Sequence, residues 1–485
     1  MKYLRANGIA LVIVLASIAA YVPYAPVKMY DFRAFYCAGK ALRAHADPYR
    51  LRPLQACERN TTAPGIPVNA GDPTVPAPLP GYVLAVFALL SLLPFGWCAL
   101  LWIAASVAAL AGSIVLLQRV LRLPAPAIAV AVVLPAAIVA LPLGQLAPFI
   151  GCAIALCAYG LSCGRWRLAA AGALATSPDP AIAVVLCSTL LVAVPATRAT
   201  ILCGTAALAA LAVVTFGVGT NVEYVQTVLH AHAIGNVAER SQLSAAHFAW
   251  VAGLSRPAAL VFGEVWYACA AVSGVWIAIR LRRRFGIAAV ALVPPAFAVF
   301  GGVYVHFSQV VLAIPAFLMV VRELPARLPW LPASIFVLAV PWLALAGFPP
   351  FALALVMLAV AYARELQSVR TGLRLGLAAA ALLAVFFAFA LTTVAPPASP
   401  SFQATAAGDA LAESAWSEYI DWRDPKPNRL FLLLELPTMA ALSACLAALV
   451  FLSAGEKKPF LARLSPRTLA GRALNPGAES PMDSV

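Results

Sequence analysis

YDFRAFYCAGKALRAHADPYRLRPLQACER, residues 30–59, is the stretch on which the fold turns. It is rich in charge, and apolar segments long enough to be membrane-embedded lie on both sides of it. From Asp31 to Ala46 the residues Phe32, Phe35, Ala38, Leu42 and Ala46 recur at three- and four-residue steps, the period of one helix face. Asp31 opens this helix, where a carboxylate is favoured by the helix dipole and can act as N-cap. Lys40, Arg43 and His45 fall near its end, and Asp47-Pro48 stops it. The pattern predicts an amphipathic helix lying on a bilayer, acid at one end and cations at the other.

The whole chain agrees with a membrane setting. Of its 485 residues 63% are hydrophobic and 11% charged, and the mean hydropathy is +0.91. Soluble domains carry roughly 25% charged residues. Apolar runs of ~20 residues recur throughout, so the predicted fold is all-α, a polytopic integral membrane protein. A net charge of +14 reflects cytoplasmic loops and anionic headgroups rather than nucleic acid, since no basic soluble domain is present. Most of the ten cysteines sit in or beside apolar segments as small hydrophobes. Cys37 and Cys57 share the first loop and could pair if that loop faces an oxidising compartment. No clustered His/Cys pattern suggests a metal site.

Charge asymmetry sets the expected topology. Lys2 and Arg5 hold the start of a first span, about 8–24, in the cytoplasm. Runs too short for a comfortable span occur at 81–94 and, around the break Ser177-Pro-Asp-Pro180, at 168–176 and 181–194; both read as re-entrant elements. Irregular backbone at that depth survives where protein or water covers it, so such breaks point towards a site. A span at about 200–218 leads to a polar loop, and Arg280-Leu-Arg-Arg-Arg284 marks the cytoplasm. The expectation is one polytopic domain over 1–455, with about twelve crossings of ~20 residues each and both termini cytoplasmic. Its outer loops are 25–80, 220–250 and 395–428, and a disordered cytoplasmic tail spans 456–485. A bacterial plasma membrane with the site on the extracytoplasmic face is the expected location.

On this topology the polar residues with chemical potential all fall on the outer face: Asp31, His230, His232, Glu239, Arg240, Gln242, His247, His306 and the acids around Glu413. Such a gathering suits chemistry on a lipid-borne group. A polyprenyl phosphate needs an apolar groove for its tail and cations for its phosphate. Transfer of its sugar to an alcohol needs a carboxylate to take the alcohol's proton. Asp31 suits the carboxylate's role; Lys40, Arg43 and Arg240 are candidates for the phosphate.

The run from Asp31 to Tyr49 resembles the opening motif of glycosyltransferase family 87, in the C-type membrane superfamily: an acidic residue, an aromatic/small helix and Asn/Asp-Pro-Tyr. Further likenesses follow in order. Pro78-Leu-Pro80 stands where the family has Tyr-Pro-Pro, and Leu143-Gly-Gln145 resembles its Gly-Gln turn. Gly164-Arg-Trp-Arg167, Ala171-Gly172 and Ser177-Pro178 track its Arg-rich turn and Gly-rich half-helix. Ser241-Gln-Leu-Ser244 resembles Asn-Gln-Ser-Leu, and Val305-His306 resembles a His before a Leu-Pro helix. The family's Tyr-Pro-Pro has become Leu79-Pro80-Gly81, and its Lys is replaced around Ser177-Pro-Asp179. The resemblance implies a transferase needing neither metal nor cofactor, using a polyprenyl-phosphate-linked sugar, with mannose-like hexoses in one branch. It implies Asp31 as base and His306 near the donor phosphate or acceptor, with Arg33, Tyr36, Tyr49, Gln145, Gln242 and Ser244 in the binding site. Its expected partners are the lipid-linked sugar, a lipid or glycan acceptor and membrane lipids.

Plainer readings stand beside these. Arg33, Lys40 and Arg43 also read as headgroup anchors. His230, His232 and His247 read as solvated loop residues, Glu239 and Arg240 as partners of each other, and Asp179 as a helix cap. Trp416, Tyr419 and Trp422 read as an interfacial belt in preference to a sugar-stacking lid. A lipid or polysaccharide transporter and an inactive membrane scaffold are the alternative functions.

Overall fold

The computed structural model describes residues 29–61, 73–135, 139–323, 328, 330–339, 402, 405–423 and 429–454. Among them the chain is all-helical, with two isolated bridges, Arg50 to Leu411 and Gln242 to His306. In order the main helices are α1 Tyr30–Arg43, α2 Leu51–Asn60, α3 Gly81–Leu90, α4 Phe95–Leu121, α5 Ala125–Pro135, α6 Ala147–Ser162, α7 Trp166–Leu174 and α8 Pro180–Ala193. They continue as α9 Pro195–Asn236, α10 Ala245–Val251, α11 Arg256–Phe285, α12 Ala289–Gly301, α13 Phe307–Arg322, α14 Leu331–Ala339, α15 Ala412–Arg423 and α16 Arg429–Ala454.

Among the described residues, four helical stretches are long and apolar enough to cross a membrane: α4, α9, α11 and Glu435–Ala454 within α16. The first three are 11–28% buried over their apolar part and the last 50%, so much of their apolar surface faces outward, as in lipid-facing helices. Five shorter apolar helices, α3, α6, α8, α12 and α13, accompany them. Almost every residue of α12 is buried, despite Pro294 and Pro295 inside it. The core sits there, with α13, α8, α6 and α11 around it. The expected first span, residues 340–401 and the tail 456–485 fall outside the described residues, and so do several of the expected twelve crossings.

Two expectations are corrected. The helix placed at about 200–218 runs on to Asn236, through a kink at Gly217 and a π-helical turn at Tyr224–Val228. The second polar loop is therefore largely helix, because π and kinked geometry lets a helix absorb Gly217 and Gly219 rather than end there. The short runs do break as expected: α3 ends at a turn before α4, and α7 and α8 flank the turn at 175–179.

The other correction concerns α1. It does not lie on a surface; residues from Phe32 to Gly39 are all buried. Phe32 stacks on Trp102 at 5.0 Å and packs near Phe87 and Phe95, so the helix is embedded in protein aromatic rings. Gly39 lets α3 pass close by, since a Cβ there would sit 2.3 Å from the Phe87 carbonyl carbon. A Cys37–Cys57 disulfide ties α1 to α2. The helix stops at Arg43 rather than Ala46, with His45 turned into the left-handed region before Pro48.

Candidate functional site

The N-terminal end of α1 opens on a cavity of about 630 Å³. Its walls come from parts of the chain that are distant in sequence: α1, the proline-rich segment around Pro76, the 143–147 turn, the 178–180 break, the end of α9, the 304–309 segment and α15. These are the loops that the charge pattern assigns to one face.

Asp31 lies in the first turn of α1, yet its carboxylate caps nothing. Met29, with φ 47, precedes the helix, and its N–H donates to the Pro142 carbonyl (2.8 Å). That bond pins the helix start to the 141–144 turn. Gly144 there has φ +76, and Trp102 Nε1 donates to its carbonyl (3.1 Å). Gln145 follows and hydrogen-bonds the Asp31 side chain. Burial pushes the Asp31 carboxyl up to about 6, with Gln145 and His232 pulling the other way. A carboxylate so tuned accepts a proton far more readily than a solvated one.

His306 faces the same cavity as the N-cap of α13. Its N–H donates to Gln309 Oε1 (2.9 Å), and Gln309 Nε2 donates to Asp179 Oδ2 (2.8 Å). Asp179 also accepts the Ile182 N–H (3.2 Å), so it caps α8, as its position before Pro180 suggests, while bracing the histidine segment. Gln242 supports that segment from behind: its Oε1 accepts the Val305 N–H (2.7 Å), and its Nε2 lies 3.4 Å from the ring. Burial lowers the His306 pKa, against the pull of Glu239, so the imidazole is neutral at physiological pH.

A third group closes the cavity. Burial raises Glu239, but the Arg423 guanidinium, His306 and Ser241 outweigh it and hold the carboxyl below its usual range. Arg423 pairs with Glu239 and, among the described residues lining the cavity, is the one Lys or Arg. Glu239 thus takes its partner from the third loop, not Arg240. His232 Nδ1 lies 3.1 Å from Glu413 Oε2, and both groups are buried. His247 is buried too, its Nδ1 2.8 Å from the Val237 carbonyl. Only His230 is exposed, so the reading of the three as solvated is corrected for His232 and His247: the loop they were assigned to is helix.

Of the residues singled out from sequence, Asp31, Gln145, Asp179, His232, Glu239 and His306 line the cavity together, as do Trp416, Tyr419 and Trp422. Arg33 lies behind them, 1% exposed, over the Tyr30 ring at 5.1 Å, with Nε and Nη1 unbonded. Gln242 is buried behind His306, and Ser244 caps α10 through the His247 N–H (3.2 Å). Tyr49 and Tyr36 hold backbone instead: their hydroxyls donate to Leu79 (2.7 Å) and Leu93 (2.9 Å). Lys40 is exposed, Arg43 donates to the Ser91 carbonyl (2.8 Å), and neither lines the cavity, nor does Arg240. The helix rise explains it: at 1.5 Å per residue, Lys40 and Arg43 lie about 13 and 18 Å further along from Asp31. Sequence reasoning missed Asn236, Tyr304 and Gln309, whose residue types mark nothing by themselves.

Among the described residues, no three His, Cys, Asp or Glu side chains are grouped to hold a metal ion. The arrangement is that of a helical protein, with helices long and apolar enough to cross a membrane, around a cleft with a desolvated carboxyl at one wall and an imidazole at another. Compared with protein-family models, characterised proteins and solved structures, the chain gives no match.

Proposed function

We propose that this chain is a membrane glycosyltransferase of the C-type architecture, moving a mannose-like hexose from a polyprenyl-phosphate donor to an outer-face lipid or glycan acceptor. One observation carries the reading: Asp31 opens a helix without capping it, and sits in a desolvated cleft with its carboxyl raised to about 6. An acid used only to cap would face the free N–H groups of its own helix, as Asp179 does at the start of α8. The Cys37–Cys57 disulfide beside it supports an oxidising, extracytoplasmic side.

In the proposed reaction Asp31 removes the proton from an acceptor hydroxyl as its oxygen attacks the anomeric carbon. The bond from that carbon to the phosphate oxygen breaks with inversion, and polyprenyl phosphate leaves with the electron pair. Among the cavity's hydrogen-bond donors, His306 and Arg423 are assigned to the departing phosphate. The donor is already activated as a phosphate ester, so the step as written takes no cofactor.

The test is Asp31→Asn in membranes supplied with a radiolabelled polyprenyl-phosphate hexose. Transfer should fall on the order of 10²–10⁴-fold, the usual worth of a positioned base. Full transfer by a normally inserted variant would refute the assigned role.

A further inference from the structure

The α15 wall of the cavity is aromatic, and the Arg423 guanidinium lies over its Tyr419 ring, 5.4 Å from the centroid. Trp416, Tyr419 and Trp422 recur every three residues on one face of α15, and Phe402 packs beside them. All four line the cavity. Ring centroids are 5.4 Å apart from Trp416 to Tyr419 and 5.9 Å from Tyr419 to Trp422, with planes tilted by 36° and 31°. The result is a row of rings with a guanidinium over its middle member.

Ion pairs fix which way the row points. Glu413 meets His232 at one end of α15, Arg423 meets Glu239 at the other, and Asp421 pairs with Arg256. Glu418 accepts the Thr405 N–H (2.7 Å), so the remaining acid is turned towards the third loop. A belt for bilayer anchoring would present its rings to lipid. These rings instead share a cavity with Asn236, Glu239 and Ser241, which can take hydroxyl hydrogen bonds.

Flat rings in a row, edged by planar amide and carboxylate groups, suit pyranose rings. The C–H faces of a sugar lie on aromatic faces, while its paired hydroxyls reach the polar edge. A polyprenyl chain would use the rings but leave the polar edge unmatched, at a desolvation cost. We propose that α15 is a sugar-stacking platform for an oligosaccharide, so that the acceptor in the reaction proposed above is a glycan rather than a simple lipid alcohol. This rests on the transferase reading for the word acceptor, but the binding surface is testable without it.

Full-length protein in nanodiscs would be titrated with mannose, mannobiose and mannotriose, following ligand-observed NMR, and separately with farnesyl phosphate. Affinity should climb at least fivefold from mannose to mannotriose. Trp416→Leu and Trp422→Leu, which keep the wall apolar, should each weaken mannotriose on the order of tenfold and leave farnesyl phosphate unchanged; Tyr419→Phe should bind as wild type. Wild-type protein that ignores mannotriose, Leu variants that bind it normally, or Leu variants that lose only farnesyl phosphate would each overturn the proposal. Mannotriose binding without any transfer would uphold the platform and sink the transferase. Transfer to a lipid alcohol unaffected by both Leu changes would do the reverse.

Discussion

Two short helices, α1 and α15, flank the same cavity and are held there by different forces. The first is buried on almost every side, packed among Phe87, Phe95 and Trp102 and clamped by a disulfide. The second carries one buried acid, Glu413, and one half-exposed acid, Asp421, and is positioned by contacts through Arg423, Arg256 and His232. Packing is short-ranged and unforgiving, so α1 keeps a carboxyl in one place against the cost of desolvating it. The half-exposed pair of Asp421 with Arg256 tolerates adjustment and responds to solvent, which suits a wall that receives a substrate. The contrast assigns chemistry to the fixed helix and recognition to the adjustable one.

The largest way to break that contrast is to remove the clamp. Cys37 and Cys57 are 20 residues apart, and closing a loop of that size constrains the unfolded chain by about 3 kcal/mol. Cys37→Ser with Cys57→Ser should therefore lower stability by about that amount in detergent-solubilised unfolding, while ring contacts keep α1 in place. An unchanged midpoint would mean that packing alone suffices.

The next effect is of similar or smaller size and tests whether Asp31 is stored against the fold. Its carboxyl is raised from 3.8 to about 6, so the folded protein binds the extra proton between those values. Stability contributed by the protonated form is therefore lost as pH rises through about 6, and Asp31→Asn should stabilise at neutral pH by up to about 3 kcal/mol. Below about pH 4 the gain should vanish. Transfer by wild-type protein runs the opposite way, rising with pH as the base ionises. Parallel changes in stability and activity would remove the trade-off.

The two helices also differ in how far their sequences disclose them. Tyr30–Arg43 is legible because aromatic residues recur with helical period and an acid stands before them. Its depth is not: Lys40 and Arg43 suggest a surface, and only the approach of α3 over Gly39 shows that the rest is covered. The break at Asp179 is readable from its prolines, whereas the link from Asp179 through Gln309 to His306 joins residues 130 positions apart and leaves no local mark. In α15 the period of Trp416, Tyr419 and Trp422 is plain, but a helix facing lipid and one facing a cavity have the same period. Direction comes from Glu413 and Arg423 finding partners in α9 and beyond, and charge pairing across the chain has no sequence signature.

The smallest effect isolates those pairs. Asp421 is half exposed where it meets Arg256, while Glu239 is 6% exposed where it meets Arg423. Salt near 1 M shortens the screening length to about 3 Å and should weaken the first pair without touching the second. An exposed pair is worth at most about 1 kcal/mol, so its loss should speed amide exchange over 412–423 by up to about fivefold. Arg256→Gln at low salt should reproduce that rise and abolish further response to salt. Exchange over 30–43 should stay flat throughout, because burial and a disulfide carry no ionic-strength dependence. If both helices quicken together, α1 and α15 move as one body, and the division between a fixed chemical wall and an adjustable binding wall fails.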